Sequence, residues 1–258
     1  MTKVFASWER RNLGCDAWEV ELTAADAANL DATLCALHDP CFAGCYVVVK
    51  IPVGFIRLFH ALEDDGFRFV ESQLRLRDVL EPDVMLKSIC ELDQKYNVVQ
   101  VRKDRAEWER VADMITTGMF DTDRIALDPL YGPDVSCRRY RNWFMDLFDD
   151  PNSILSLYVA DGKEVAFNIQ ICDLDKDVNR GVLGGVFEPF KGSGCGVFFV
   201  LDNDNRKKYG KRTTSVSSNN LSVLKLHQRC GRIVVGETYV LRKQYAPSNT
   251  AEGKGSGT

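Results

Sequence analysis

The chain is 258 residues long, 45% hydrophobic and 27% charged, enough to bury a full core in one large domain or two small ones. A formal net charge of −4 gives no reason to expect nucleic acid or an anionic membrane as partner, while leaving room for a local basic pocket that takes a small anion. The opening MTKVFASWERR has no apolar leader and no run of about 18 apolar residues follows, so the nine irregularly spaced cysteines read as reduced thiols in a cytoplasm.

In chain order, Ala24–His38 carries Ala28, Leu30, Leu34 and Leu37 at helical spacing and predicts a helix. Cys41 and Cys45 form the one close cysteine pair, and a lone C-x3-C is weak evidence for zinc, so no metal is expected. Cys45–Ile51 is short, apolar and β-branched, a buried strand. Phe55–Leu62 reads as a helix ended by the Asp65-Gly66 turn, and Phe67–Leu76 alternates as a strand. Charged Arg77–Gln94, with Glu81-Pro82, reads as a connection holding a short helix. A strand at Val98–Arg102 and helices at Arg105–Met119 and Arg138–Leu147 follow, then a hairpin of Ile154–Ala160 and Val165–Cys172 around Asp161-Gly162. The last elements are strand Val182–Phe187, helix Gly192–Tyr209, strand Thr213–Ser217, helix Leu221–Cys230 and strand Arg232–Leu241. Residues 246–258 hold no core-forming side chains and are expected to be disordered. Helix, Gly66, strand in the first half echoes helix, Gly231, strand in the second, which suggests an internal repeat.

The richest stretch is Glu188-Pro-Phe-Lys191-Gly192-Ser193-Gly194-Cys195-Gly196, directly after one strand and opening a helix. Glycines let a backbone approach a phosphate closely, and a helix start favours negative charge, so this is the requirement of a pyrophosphate cradle. A Walker A loop would end in Gly-Lys-Ser/Thr, yet Val197 follows Gly196; a dinucleotide fingerprint would need G-x-G-x-x-G, yet the glycines run G-x-G-x-G. The bland alternative is a glycine-rich turn entering a helix.

The loop matches [Q/R]-x-x-G-x-[G/A], with Lys191 as the basic residue and then Gly194 and Gly196. Downstream, Asn220-Leu-Ser-Val-Leu-Lys-Leu226-His227-Gln-Arg-Cys-Gly231 is similar to N-x-x-A-x-x-L-Y-x-x-x-G-F, with Asn, Leu and Gly in register. Both motifs, at this separation and in this element order, resemble those of GCN5-related N-acetyltransferases. The resemblance implies an α/β (α+β) fold, a central mixed and strongly twisted sheet flanked by helices, with acetyl-CoA as co-substrate. It implies that backbone groups of Leu183, Gly184, Gly185 and Val186 pair with the pantetheine arm. Backbone N–H groups of Lys191, Gly192, Ser193, Gly194, Cys195 and Gly196 would then hold the pyrophosphate, and the Asn220 side chain would contact the pantetheine. The Cys195 thiol is expected to pack rather than react.

The chain has His227 where the family has Tyr, and Arg232 where it has Phe. The family Tyr protonates the departing thiolate, and an imidazole with a pKa near 6.5 suits the same task; the alternative is a His that merely packs. Phe120-Asp-Thr-Asp123-Arg124 with Asp128-Pro129, then Arg138, Tyr140 and Trp143, is similar to S-R-F-x-x-D-P and R-x-Y-x-x-W in members acting on nucleotide-linked amino sugars, such as dTDP-fucosamine acetyltransferases. Trp8-Glu9 with Gly14 resembles the opening of that group. The resemblance implies a degenerate acetyltransferase-like domain over 1–95 and a catalytic domain over 96–245. Arg124 and Asp128 are the substrate-binding candidates, with Asp123 and Asp128 either orienting the acceptor amine or capping a helix. A peptide or polyamine acceptor, and a CoA-binding sensor without catalysis, are the competing readings, and a homodimer is one arrangement left open.

Overall fold

The computed structural model describes residues 1–78, 96–201 and 210–247. Its chain forms two compact units, Met1–Ser72 with Glu237–Thr258, and Gln73–Gly236.

The first unit holds β1 (Thr2–Phe5), α1 (Arg10–Leu13), β2 (Ala17–Glu21), α2 (Ala24–Ala28), α3 (Leu30–Leu37), β3 (Tyr46–Pro52) and α4 (Ile56–Asp64). β1 pairs antiparallel with β2, and β2 runs parallel to β3. The β-branched run of β3 supplies Val47, Val49 and Ile51 to a core with Val20 of β2, Leu37 of α3 and Leu58 and Leu62 of α4. Each such fully buried aliphatic side chain is worth about 1.5–3 kcal/mol. The expected single helix over Ala24–His38 is two helices. Asn29 breaks it at φ −132 and ψ 77 and caps α3 by accepting from the Ala32 N–H, the local competition that makes Asn a helix boundary.

The second unit holds β5 (Asn97–Val101), α5 (Arg105–Asp113), α6 (Arg124–Leu127), α7 (Pro133–Asp149), β6 (Ser153–Ala160), β7 (Lys163–Asp173), β8 (Val178–Val186), α8 (Gly196–Leu201), β9 (Lys211–Ser217) and α9 (Leu221–Arg229). Strands β5, β6, β7 and β8 form an antiparallel meander, and β8 runs parallel to β9. One core joins Trp108 of α5 and Phe144 of α7 to Leu155, Leu157, Phe167, Ile169 and Leu183 of the strands. Another joins Val197 and Val200 of α8 to Tyr158 and Ala166 of β6 and β7. The sheet of this unit is therefore mixed and covered by helices.

Two long strands run through the boundary. β4 (Arg68–Asp78) follows α4, yet its end pairs with β9 from Gln73 opposite Ser217 to Arg77 opposite Thr213. β10 (Arg232–Gln244) follows α9, yet its end pairs with β3 from Thr238 opposite Pro52 to Gln244 opposite Tyr46. Each half thus reads parallel strand pair, helix, then a last strand that completes the other half antiparallel. This exchange gives the echo in the sequence a structural meaning. The expected cut at residue 95 falls outside the described residues, and the first compact unit takes its second part from Glu237 onward because β10 returns to β3. The connection expected over Arg77–Gln94 lies outside the described residues from 79 on, as does the expected helix Gly192–Tyr209 from 202 on. Of the expected tail, Ala246 and Pro247 are described, with the Ala246 carbonyl accepting from the Gly44 N–H; residues 248–258 lie outside the described residues.

Candidate active site

β8 and β9 are paired only where they begin, at Val178 opposite Lys211, Asn179 opposite Arg212 and Arg180 opposite Thr213. The Thr214 hydroxyl then donates to the Gly181 carbonyl at 3.0 Å, and no further pairing between these strands follows among the described residues. On its other edge β8 stays bound to β7, with Gly181 opposite Gln170 and Leu183 opposite Ile169, so Val182 is the extra residue of a bulge. A bulge turns a strand and ends pairing. Leu183, Gly184, Gly185 and Val186 therefore hold one neighbour, β7, and turn alternate backbone N–H and C=O groups towards the opened side. A Cβ on Gly185 would stand 2.9 Å from Met119 Sδ, 3.0 Å from Phe167 and 3.4 Å from Phe120, so a side chain here would have to displace Met119 and press on the Phe167 ring.

The glycine loop follows the opened end. Gly192 and Gly194 take φ of 78 and 82, a left-handed conformation that side chains disfavour. Three loop N–H groups are spoken for: Lys191 to Glu188 O at 3.3 Å, Ser193 to Phe190 O at 3.1 Å and Cys195 to Ser193 Oγ at 3.4 Å. The N–H groups of Gly192, Gly194 and Gly196 have no acceptor among the described residues. Successive N–H groups in alternating conformations form a concavity suited to an anion. The Lys191 ammonium is spent on structure, donating to the Gly118 carbonyl at 2.7 Å and pairing with Glu188 at 3.1 Å. The Cys195 side chain is fully buried against Val197, and burial pushes its thiol above the usual range, with the Ser193 contact acting the other way.

Asn220 caps α9: its Oδ1 accepts from the Val223 N–H at 3.1 Å. His227, on the same helix, is 6% exposed, and its Nδ1 stands 2.9 Å from Nη1 of Arg232. Arg232 Nε binds Asp78 Oδ1 at 2.5 Å, and Arg212 Nη1 binds the other oxygen at 3.0 Å. Burial pushes the His227 imidazolium down to about 3; Arg232 and Arg212 add to the shift, and Asp78 opposes it. The ring is neutral at ordinary pH, unlike the imidazole of ordinary pKa expected from the sequence.

Asp78 and Arg212 escaped the sequence reading. Each continues the buried face of a strand, Asp78 after Leu74 and Leu76, Arg212 before Val216, and a charge on an apolar face was the available signal. Arg124 and Asp128, the substrate-binding candidates, are 7% and 3% exposed. Asp123 acts as a cap: its Oδ2 accepts from the Ile125 N–H and the Ser136 hydroxyl, and its Oδ1 from Tyr140. Asp128 holds a turn by accepting from the Leu130 N–H at 3.0 Å. Tyr140 stacks on Phe120 at 3.8 Å, so this segment is a packed support whose Met119 and Phe120 reach β8. No grouping of His, Cys, Asp and Glu suited to a metal occurs among the described residues, and no helix among them is long and apolar enough to cross a membrane.

No protein-family model matches the sequence, and no curated protein does. Solved structures do match the fold. A GCN5-related N-acetyltransferase from Sphaerobacter thermophilus superposes with TM-score 0.57 at 14% identity, over 95% of this chain and 76% of its own. One from Kribbella flavida gives 0.52 at 14% identity, over 88% and 81%. A conserved protein of unknown function from Staphylococcus epidermidis gives 0.56 at 13% identity, over 89% and 85%. The chain has the fold of the GCN5-related N-acetyltransferases.

Proposed function

We propose that the second unit transfers an acyl group, acetyl in the simplest case, from acyl-CoA to a primary amine within a ternary complex. The observation that carries the reading is the parting of β8 from β9 just before a loop with three glycine N–H groups that have no acceptor among the described residues. The parted strands offer backbone partners at the spacing of an amide-bearing arm such as pantetheine, and the loop offers donors to a pyrophosphate. Gly192, Gly194 and Gly196 are the donors assigned to it, and Asn220 Nδ2 is assigned to the pantetheine. A backbone N–H on the opened stretch of β8 would meet the thioester oxygen as negative charge develops there.

The neutral amine attacks the thioester carbon, a C–N bond forms and the C–S bond breaks, with its electron pair leaving on sulfur. The amine proton passes to water. His227, on the helix that Asn220 caps, is the side chain assigned to the leaving sulfur.

For the acceptor, the motif likeness over Phe120–Trp143 supports a nucleotide-linked amino sugar. Because Arg124 and Asp128 are buried, they serve such a site by shaping the segment behind Met119 and Phe120. Calorimetry with CoA and acetyl-CoA tests the donor, and thiol release with nucleotide-linked amino sugars, polyamines and peptide amines tests the acceptor. Saturable CoA binding with turnover of an amino sugar is expected. Absence of CoA binding sinks the transferase reading, and turnover confined to peptide amines sinks the sugar.

A further inference from the structure

In the sequence, His227 and Arg232 are two separate departures from the motif. In the structure they are partners. Arg232 Nη1 lies 2.9 Å from His227 Nδ1, and both side chains are buried. A guanidinium has donors and no acceptor, so Nδ1 must be the accepting, unprotonated nitrogen and the ring proton must sit on Nε2. Arg232 is itself held, its Nε on Asp78 and Asp78 in turn on Arg212 of β9.

Resting on the acyltransfer reading above, we propose that Arg232, anchored by Asp78, is a positioning residue that fixes His227 as the neutral Nε2–H tautomer, which meets the leaving sulfur as a hydrogen-bond donor and not as an acid. Among the described residues the charged groups facing the ring are Arg232, Arg212 and Asp78, and burial with the two guanidiniums disfavours a second proton. The balance of the step agrees. CoA departs as thiolate, the proton lost by the amine goes to water, and the imidazole keeps its own. A thiolate of ordinary pKa about 8.5 needs only a hydrogen bond to leave near neutral pH. Had the chain carried His227 opposite an apolar residue, no partner would hold the ring in one tautomer and one orientation. The two departures compensate each other.

Nitrogen-15 spectra of histidine-labelled full-length protein test this, with the His227 signals assigned by His227→Asn. Wild type should show an unprotonated Nδ1 and a protonated Nε2 that do not titrate between about pH 5.5 and 8. In Arg232→Gln, His227 should become a tautomer mixture that titrates, kcat above the ordinary histidine pKa of about 6.5 should fall about tenfold with KM for acyl-CoA unchanged, and the loss should shrink below that pKa, where the imidazolium carries a proton on Nε2 in every case. A wild-type His227 that titrates in that window, or carries its proton on Nδ1, overturns the proposal even if Arg232→Gln fails to fold. So does a folded Arg232→Gln protein with unchanged kcat and pH profile. CoA binding, read separately by calorimetry, tells the failure of the transferase reading from the failure of this one.

Discussion

The two units contain the same joint, a strand entering a helix beside a parallel partner strand, and treat it in opposite ways. In the first unit β2 and β3 are paired from Ala17 opposite Tyr46 to Glu21 opposite Lys50, and the Leu22 N–H continues the ladder to Lys50 O at 2.9 Å. The helix after β2 closes its own start. Thr23 and Asp26 form a reciprocal capping box, and the Asp26 carboxylate also takes the chain's terminal amine at 2.8 Å. In the second unit the ladder stops after three pairs, and glycines stand where the first unit has Thr23 and its box. A helix start needs acceptors for its N–H groups. One joint supplies them from its own side chains, and the other leaves the N–H groups of Gly192, Gly194 and Gly196 without an acceptor among the described residues, which is where the proposed pyrophosphate would sit.

That contrast is open to attack by substitution. The largest effect is expected from Gly196→Pro, which removes one cradle N–H at the first position of α8, where proline is tolerated. Losing one charge-assisted hydrogen bond, about 1.5–3 kcal/mol, should weaken CoA binding roughly 10- to 100-fold in calorimetry with little change in Tm. The matching Ala24→Pro at the start of α2 should leave CoA binding untouched; equal losses from both would break the contrast. Next, Asn220→Asp keeps an oxygen to cap α9 and loses Nδ2, so CoA affinity should fall while stability holds. Asn220→Ala should lower both, the second by about 1 kcal/mol in urea denaturation. If Asn220→Asp binds CoA as wild type does, the side chain is a cap only.

Smaller and confined to the first unit is Asp26→Asn, which should cost about 1 kcal/mol of stability and no CoA affinity. The hydrogen bonds from the terminal amine and from Thr23 lower the Asp26 pKa, outweighing the burial that raises it. A depressed folded-state carboxylate stabilises above its unfolded pKa, so the gap between Asp26→Asn and wild type should close as pH falls below about 4. A gap that persists in acid would mean the box works without its charge. Smallest is Lys191→Met, which removes exposed contacts to Gly118 and Glu188 and should cost about 0.5 kcal/mol in thermal unfolding. A large loss of CoA binding there would return Lys191 to the phosphate site.

Much of the second unit was legible because its signals are local. Asp161-Gly162 marks the β6–β7 hairpin, the glycines mark the loop and Asn220 marks the start of α9. β1 and β2 went unseen, since four or five residues such as Ala-Trp-Glu-Val-Glu alternate too briefly to stand out before a pairing partner is known. α6 is a single turn and leaves no periodicity. The roles of Asp123 and Asp128 stayed open because a carboxylate that caps and one that binds substrate look alike until its neighbours are placed.

The sequence by itself marked the glycine loop, because residues lacking a Cβ admit the left-handed conformation that Gly192 and Gly194 take. It also determined the order of elements around the cradle, because period and turn chemistry are written within short windows. Only the tertiary structure decided that β8 and β9 part after Arg180 and Thr213, since pairing is a property of two strands and not of either. It alone set the state of His227. Asp78 lies 154 residues from Arg232 and 134 from Arg212, and the fold's burial of the ring, with the two guanidiniums beside it, keeps it neutral against the opposing pull of Asp78.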